Sequence, residues 1–412
     1  MEDFFDRFQR ITGVSKYSTS EVITPSWVVS DMVDLLPSEV FAPESRFLDP
    51  AVKSGRFLAE LYRRLMNSEA IKQAFPNEQA RQQHILDNQL YGFATSGAAA
   101  AIARKQLYND PTIAGNIHYT TAKDVVKEIQ GAFENMKFDV VIGNPPYNND
   151  IYLDFVTLGH NLSSQYTCMI TPAKWQAKGG KKNEDFRKNI VPYMSKIVYY
   201  VNSGDIFDIR EVTGISYYLI DKEVHDSKYI KTIDKLESHD KLNDDWHLED
   251  NLITLHSRGL NNIVAKISGK KMQYSGGNGH KKVIVSLNLA NGGRKTSFSS
   301  FSTDGRMNVV NPLVKLNSIG ELAVYGTNYK VIYNLDSDDE CDSFISYVNT
   351  RFIRFLIFMG VCGQSITNDE TWRFVPDPGA FDHIFTDQEL YQKYGLTPNE
   401  IAIIESVIKE RK

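Results

Sequence analysis

Hydrophobic and polar positions follow two periodicities, which alternate along the first half of this chain. Short apolar runs bounded by turn-forming residues, such as residues 90–93, 138–142 and 166–170, are typical of buried parallel strands. Between such runs, residues 97–108 and 151–161 carry apolar side chains at helical spacing. Strands and helices that alternate up to about residue 222 predict a doubly wound α/β sheet of about seven strands, mostly parallel, with helices on both faces.

The pattern changes in the second half of the chain. A polar and charged stretch, residues 221–250, interrupts it, and many Gly, Asn and Lys residues then separate short β-like runs. Amphipathic helices are predicted near the end, over residues 342–358 and 399–409. We therefore expect a first domain over residues 1–235 and a loop-rich α+β domain with C-terminal helices over residues 236–412.

Composition narrows the class of protein. Of the 412 residues, 42% are hydrophobic and 24% are charged, which is ordinary for a folded globular protein. No apolar run reaches the length of a membrane span, and the first six residues are acidic where a secretion signal is basic, so we expect a cytoplasmic protein that does not enter a membrane. The three cysteines lie far apart and the histidines lack ligand spacing, so no metal site is predicted.

The charge of the chain is unevenly distributed. Residues 251–330 contain eleven Lys or Arg and two acidic residues, so this segment carries +9 within a chain of net charge −5. Such asymmetry is expected of a region that contacts phosphates. The alternative is a basic surface that is merely solvated.

The predicted strand Phe138–Ile142 ends abruptly in Gly143-Asn144-Pro145-Pro146-Tyr147. The prolines donate no backbone hydrogen bond, which tends to leave carbonyl oxygens free to accept from another group. The Asn amide can donate and accept, and the Tyr offers a flat apolar face. A rigid rim of acceptors beside an aromatic ring suits an exocyclic amino group on a planar ring, such as N6 of adenine. The alternative is an ordinary turn between a strand and a loop.

Two further turns precede this one. Thr24 and Pro25 stand before apolar residues at helical spacing, which predicts a capped helix. The small-residue loop 49–55 lies between a short apolar strand and the helical run 59–66. In a doubly wound sheet, a ligand lies against the loop at the carboxyl end of the first strand.

These three turns, in this order and followed by a basic segment, resemble the motifs of the gamma class of adenine-N6 DNA methyltransferases. Residues 51–55, Ala-Val-Lys-Ser-Gly, resemble the form found in the Eco57I-type branch of restriction-modification methylases, where other members have Ala-Cys-Gly-Ser-Gly. The resemblance implies a Rossmann-like sheet that binds S-adenosylmethionine (AdoMet). It also implies a site-specific enzyme that methylates N6 of adenine in duplex DNA, as the modification component of a restriction-modification or related system.

The resemblance assigns the target base to the strand-end motif. The implied catalytic residues are Asn144, Pro145, Pro146 and Tyr147. In the family, the Asn side chain and the first Pro carbonyl hold the N6 hydrogens, and the Tyr stacks on an adenine flipped out of the duplex. Tyr217 resembles a second aromatic residue that flanks the flipped base. Its neighbour Tyr218, which points the opposite way along a strand, is the alternative.

The resemblance likewise implies a set of cofactor-binding residues. They are Thr24, Pro25, Asp49, Pro50, Ala51, Ser54, Gly55 and Asp124. Asp124 is expected against the adenine amino group of AdoMet, or alternatively caps the helix that follows it. The family usually has an acidic residue for the ribose hydroxyls after the second strand, where this chain has Ala94 and Thr95.

Double-stranded DNA is the expected partner. The candidate contacts lie in a Lys- and Gly-rich loop near residue 180 and in the basic segment: Lys174, Lys178, Lys181, Lys182, Lys270, Lys271, Lys281, Lys282, Arg294 and Lys295. The sequence contains no nuclease motif of the Pro-Asp…Glu-x-Lys kind, so a restriction endonuclease or other subunit of the system is a further expected partner. Alternatives from the same residues are a protein-glutamine or RNA adenine methyltransferase, and a DNA-binding subunit that no longer methylates.

Overall fold

A computed structural model describes most of the chain. The residues described are 10–12, 20–176, 180–200, 203–207, 214–224, 229–236, 239–247, 263–273, 276–279, 281–286, 314–316, 329–360 and 369–408. The strands are β1 (Arg10–Thr12), β2 (Ser20–Val22), β3 (Phe47–Val52), β4 (Leu90–Ala94), β5 (Ile117–Tyr119), β6 (Phe138–Gly143), β7 (Ser163–Pro172), β8 (Met194–Tyr200), β9 (Ile215–Asp221), β10 (Tyr229–Leu236), β11 (His239–His247), β12 (Lys281–Ser286), β13 (Val314–Leu316) and β14 (Tyr329–Leu335). The helices are α1 (Ser26–Val33), α2 (Arg56–Asn67), α3 (Glu69–Ala74), α4 (Glu78–His84), α5 (Gly97–Tyr108), α6 (Val125–Ala132), α7 (Ile151–Leu162), α8 (Lys181–Asn189), α9 (Asp338–Asn349), α10 (Arg351–Gly360), α11 (Asp369–Trp372), α12 (Asp387–Lys393) and α13 (Pro398–Val407).

One large sheet has the strand order β11-β10-β8-β9-β7-β6-β3-β4-β5. The seven strands predicted before residue 222 are β3 to β9, and all of them except β9 run in the same direction. The predicted doubly wound sheet is therefore confirmed. The chain adds β4 and β5 on one side of β3 and then returns to the other side with β6. Ligands of open α/β sheets bind where the strand order reverses in this way, outside the carboxyl ends of the strands.

Helices cover both faces of the sheet because its inner strands are apolar on both sides. On β6, Val140 and Ile142 pack in a cluster with side chains of α1, α2 and α5. Phe138 and Val141 of the same strand pack on the other face, with α6, α7 and α8. This two-sided burial fixes the register of β6 and therefore the place where its carboxyl end emerges.

The sheet continues beyond the seven predicted strands. β10 pairs in parallel with β8 and antiparallel with β11, so the backbone of residues 229–236 and 239–247 extends the sheet at one edge. The polar sequence there predicts an interruption, but an edge strand needs backbone pairing more than it needs apolar side chains. The division of the chain at residue 235 stays a prediction.

The C-terminal helices form a further apolar cluster, which also contains Tyr199 of β8 and Ala173, the residue that follows β7. The predicted helix 342–358 is two helices because it breaks at Thr350. The Thr350 backbone is extended, and its hydroxyl accepts a hydrogen bond from the Ile353 N–H at 3.2 Å, which starts α10 with a side-chain cap. Among the described residues, no helix has the length and apolar content of a membrane span.

Candidate active site

The two central strands of the sheet bring two of the predicted motifs side by side. β3 and β6 pair in parallel, with Phe47 opposite Val140 and Leu48 opposite Val141. The chain therefore leaves both strands at the same edge of the sheet. One end carries the small-residue segment 49–55, whose residues 49–52 are the irregular end of β3, and the other carries the motif that begins at Asn144.

Gly143 allows these two strand ends to approach closely. A Cβ atom at this position would lie 2.7 Å from Oδ1 of Asp49 and 3.5 Å from Pro50. Real Cβ atoms do not come so close to an oxygen atom, so a larger residue would push the two loops apart. The Asp49 carboxylate also accepts a hydrogen bond from the Ala51 N–H at 3.0 Å, which folds the β3 loop back on itself.

Asp49 lies in a dry environment. The residue is 2% exposed, and burial raises the pKa of its carboxyl to about 7, against the opposing effects of the Ala51 hydrogen bond and the nearby Lys53 ammonium. Lys53 itself reaches the carbonyl of Val22 at 3.5 Å. A carboxyl that titrates near neutrality at a strand end is a feature of functional sites.

Asn144 lies at the junction of the two motifs. Its Nδ2 donates a hydrogen bond to the Thr24 hydroxyl at 3.0 Å, while its Oδ1 is buried and accepts no hydrogen bond. A buried amide oxygen without a donor is costly, since few such atoms lack a partner in folded proteins. Pro145 and Pro146, which follow it, are buried and add no N–H group.

Arg56 joins the Thr24 segment to the β3 loop. Its guanidinium donates a hydrogen bond to the Thr24 carbonyl at 2.8 Å, and the residue is only 6% exposed. The sequence interpretation missed this residue; the available signal was an arginine directly before the apolar start of a helix. The resulting cleft is lined by Ile23, Thr24, Asp49, Ala51, Lys53, Ser54, Gly55, Arg56, Phe57 and Asn144.

Gly55 ends the β3 loop in a left-handed conformation, with φ of 79°. A Cβ atom here would lie 3.1 Å from the Cα atom of Ala103 in α5, so the loop passes directly over the neighbouring helix. Both the positive φ and the close contact require glycine. Gly55 is the last residue of the small-residue loop 49–55 that the sequence predicts.

Thr95 lies just beyond the carboxyl end of β4, the strand next to β3. The residue is 5% exposed, and its hydroxyl is buried without a hydrogen-bond partner. The sequence interpretation noted this position only because it lacks an acidic residue. The unpaired hydroxyl at the edge where the β3 loop also emerges now makes Thr95 a candidate binding residue.

Tyr147 is half-buried at the end of the strand motif. Its ring meets the buried ring of Tyr152 edge-on, with centroids 6.5 Å apart at 83°, and its hydroxyl lies 3.5 Å from the carbonyl of Ile170. The Tyr147 ring therefore packs against the core at Tyr152, and part of the same ring is exposed at the surface.

Comparison with known proteins decides the family. The family model described as N-6 DNA Methylase matches residues 4–209, which is half of the 412 residues. The chain belongs to the N-6 DNA methylase family. This membership confirms the predicted family of adenine-N6 DNA methyltransferases, and the matched residues include strands β3 to β8 of the sheet, the cleft and the Asn144 motif.

Three individual proteins show the extent of the similarity to this methylase. An uncharacterized adenine-specific methylase of Mycoplasma pneumoniae is 25% identical over 297 residues, which cover 50% of this chain and 68% of that protein. The methyltransferase subunit of a type I restriction-modification system from Streptococcus thermophilus is 15% identical, with a TM-score of 0.38 and 55% of this chain covered. The M protein of the type I restriction enzyme EcoKI is 13% identical, with a TM-score of 0.42 and 76% of this chain covered. The methylase spans 67% of the EcoKI protein but about half the length of other type I modification subunits.

The remaining residues with predicted roles lie in more ordinary settings. Asp124 is exposed and accepts a hydrogen bond from the Lys127 N–H at 3.1 Å, so it caps α6. Tyr217 is 2% exposed, packs on the α1 face of the sheet, and donates a hydrogen bond to Asp31 at 3.4 Å. Tyr218 points to the opposite face, as its position on a strand predicts. The roles of these residues toward cofactor and base stay predictions.

The predicted DNA contacts differ in how free their side chains are. Lys181 is exposed, and Lys182 pairs with Asp154 at 2.7 Å on the surface. Lys270 is 85% exposed although it pairs with an aspartate, whereas the ammonium of Lys271 donates a hydrogen bond to a backbone carbonyl at 2.7 Å. Lys174 is mostly buried in an ion pair.

Some predicted contacts lie outside the described residues. This holds for Lys178, Arg294 and Lys295, and for the side chains of Lys281 and Lys282, whose backbone belongs to β12. Within the described part of the chain, no group of three or more His, Cys, Asp or Glu side chains is arranged to hold a metal ion.

Gly143→Ala tests the close approach of the two strand ends. The added methyl overlaps Asp49 Oδ1, so β3 and β6 must separate at their ends, and we expect a loss of about 1–3 kcal/mol in the free energy of unfolding. Urea denaturation measures it. The control is Gly131→Ala in α6, where nothing lies within 4 Å and alanine is expected to stabilise the helix by about 0.5–1 kcal/mol. Equal stability of the Gly143 variant and the wild type would contradict the packing described.

The raised pKa of Asp49 predicts a specific dependence of stability on pH. Between its ordinary pKa of 3.8 and about 7, the folded protein holds a proton that the unfolded chain has released. The contribution of this group to the free energy of unfolding is therefore largest below pH 4. It falls by about 4 kcal/mol as the pH rises to 7, at 1.36 kcal/mol per pKa unit. Asp49→Asn mimics the protonated carboxyl, so the difference in unfolding free energy between variant and wild type should grow over this pH range. A constant difference would show that the carboxyl titrates normally.

Proposed function

We propose that this chain transfers the methyl group of AdoMet to N6 of a flipped adenine at a specific site in duplex DNA. It would act as a gamma-class, Eco57I-type modification component of a restriction-modification system. One observation carries the proposal: the buried Oδ1 of Asn144 lacks a donor, at the point where the motif of β6 meets the cleft of β3. An amino group presented there would satisfy that oxygen.

The cleft fits AdoMet in the chemistry of its lining. The buried Asp49 carboxyl, whose pKa is raised to about 7, can lose its proton near neutral pH and then pair with a ligand that carries a sulfonium and an ammonium group. Gly55 and Thr24 line the same cleft, and Thr24 stands beside Pro25 in the sequence. Thr95 follows the neighbouring strand β4, and its unpaired hydroxyl would supply a polar partner for a ribose in place of the usual acid. The cofactor would supply an electrophilic methyl group.

Asn144 and the Pro145 carbonyl would position the acceptor nitrogen. Both oxygens accept hydrogen bonds from N6, which orients its lone pair toward the cleft. No strong general base is needed, because the proton can leave after N6 has become cationic. The chain therefore contributes mainly orientation and electrostatic stabilisation, which together account for large rate enhancements in enzymes.

Tyr147 would hold the flipped base. Extrusion of a base from the duplex costs roughly a few kcal/mol. The half-buried ring of Tyr147 is anchored by Tyr152 and presents a face on which an adenine can stack, which offsets part of that cost. Tyr217 is proposed as the second flanking aromatic, reached after a rearrangement of its buried ring.

DNA would be bound mainly through its phosphates. The exposed side chains of Lys181 and Lys270 are available to phosphates, and a surface pair such as Lys182–Asp154 exchanges partners at little cost. The basic segment 251–330 adds the larger share of positive charge. Relatives in type I restriction-modification systems are modification subunits, which supports a nuclease or another system subunit as a partner.

Asn144→Ala tests the central role. The variant loses the acceptor for N6, so methyl transfer to unmethylated duplex DNA should fall by at least about 100-fold, as for other groups that act in the transition state. DNA binding should remain because the phosphate contacts are untouched. Tritium transfer from labelled AdoMet measures the rate, and Asn67→Ala, a change at an exposed helix position, is the control. Near-normal turnover of the Asn144 variant would exclude this mechanism.

Thr95→Val tests the cofactor side of the cleft. The change removes an unpaired buried hydroxyl, so the folded protein should be as stable as the wild type or more so. AdoMet should nevertheless bind about tenfold more weakly, equivalent to one lost hydrogen bond. Calorimetry gives the dissociation constant and thermal unfolding gives the stability. Thr95→Ser keeps the hydroxyl and should restore affinity; unchanged affinity of the Val variant would remove Thr95 from the cofactor site.

A further inference from the structure

The connection after the catalytic motif has an unusual backbone. Asn149 and Asp150 follow Tyr147 closely, and both are left-handed, with φ of 53° and 57°. Among the described residues, the other non-glycine residue with positive φ is Asn109, which ends helix α5 in a common way. Two such residues in succession beside a site are strained, and such strain persists only where surrounding contacts hold it.

A lysine from the neighbouring strand end supplies such a contact. Lys174 follows β7, and its Nζ lies 2.8 Å from Asp150 Oδ1; the two side chains are only 18% and 14% exposed. Asp150 stands at the N-cap of α7, yet its side chain makes no capping hydrogen bond to the helix. Aspartate usually caps at this position. Here the carboxylate is directed to Lys174 instead.

The same lysine also contacts the ring that supports Tyr147. Lys174 Nζ lies 5.6 Å from the centre of the Tyr152 ring, which is fully buried and meets Tyr147 edge-on. Lys174 is therefore connected to Tyr147 along two routes. One runs through the backbone of Asp150, and the other runs through the Tyr152 ring.

We propose that Lys174 and Asp150 form a brace that holds the left-handed turn and fixes Tyr147 in the geometry that receives the target base. Lys174 is then a positioning residue, and its ammonium is not available to a DNA phosphate. The part of this proposal that concerns the base rests on the proposed function. The neighbouring pair Lys182–Asp154 offers a matched comparison, because it also joins a lysine to an aspartate near the start of α7 but its side chains are 43% and 45% exposed.

The first experiment measures the brace without cofactor or DNA. Hydrogen–deuterium exchange of the full chain is followed in the segment 147–153 for Lys174→Met and Lys182→Met. Loss of the brace should speed exchange in that segment by about tenfold or more for Lys174→Met, with no change for Lys182→Met. Lys174→Arg keeps the ion pair and should behave like the wild type. Unchanged exchange in Lys174→Met overturns the proposal.

Asp150→Asn covers the case in which Lys174→Met does not fold. Asparagine adopts the left-handed conformation readily, so this variant removes the charge and leaves the backbone preference intact. Exchange in the segment 147–153 should again rise. If it stays at the wild-type level, the turn holds itself and the ion pair is not a brace.

The second experiment separates positioning from phosphate contact, with unmethylated plasmid DNA and tritiated AdoMet. If Lys174 is a positioning residue, Tyr147 is displaced in Lys174→Met. The kcat of this variant should then fall by about 100-fold, while its dissociation constant for DNA and the salt dependence of binding stay unchanged. A lost phosphate contact should instead weaken DNA binding and reduce the salt slope by about one, with kcat at saturating DNA unchanged, which overturns the proposal. If the wild-type chain transfers no label, the proposed function fails, and the exchange experiment alone decides the brace.

Discussion

The structure depends on the close approach of two parallel strand ends. β3 and β6 pair at the centre of the sheet, and the absence of a side chain at Gly143 lets the carboxyl of Asp49 lie where a Cβ atom would otherwise be. This contact keeps water from Asp49 and accounts for its raised pKa. It also places Asn144 within hydrogen-bond distance of Thr24. The proposed cofactor cleft and the buried amide oxygen of Asn144 thereby share one edge of the sheet.

Much of this arrangement could be predicted from the sequence. Seven strands alternating with helices, and turns at the ends of the first and fourth of them, follow from apolar periodicity and from Gly and Pro positions. Parallel strands end at the same edge, so adjacency of the 49–55 loop and the 144–147 motif follows once the strand order is given. The strand order itself is tertiary information, which apolar periodicity and turn residues do not provide.

Other features could not be predicted, because they depend on contacts between distant segments. Arg56 and Thr95 belong to the site through burial and through unmade or long-range hydrogen bonds, which leave no local pattern in the sequence. Charge counting has the same limit. It identifies a basic region, but it does not distinguish exposed Lys181 from Lys174, whose ammonium is held by Asp150. The strands β10 and β11 were missed because edge pairing is made by the backbone.

The central claim is that the edge between β3 and β6 presents a purine amine to a methyl donor. The most direct measurement is methylation-aware sequencing of unmethylated genomic DNA after incubation with the purified chain and AdoMet. The account predicts N6-methyladenine at one short recurring sequence and at no other base. Methyl groups on cytosine, or label found on protein or RNA while the DNA stays unmodified, would contradict it.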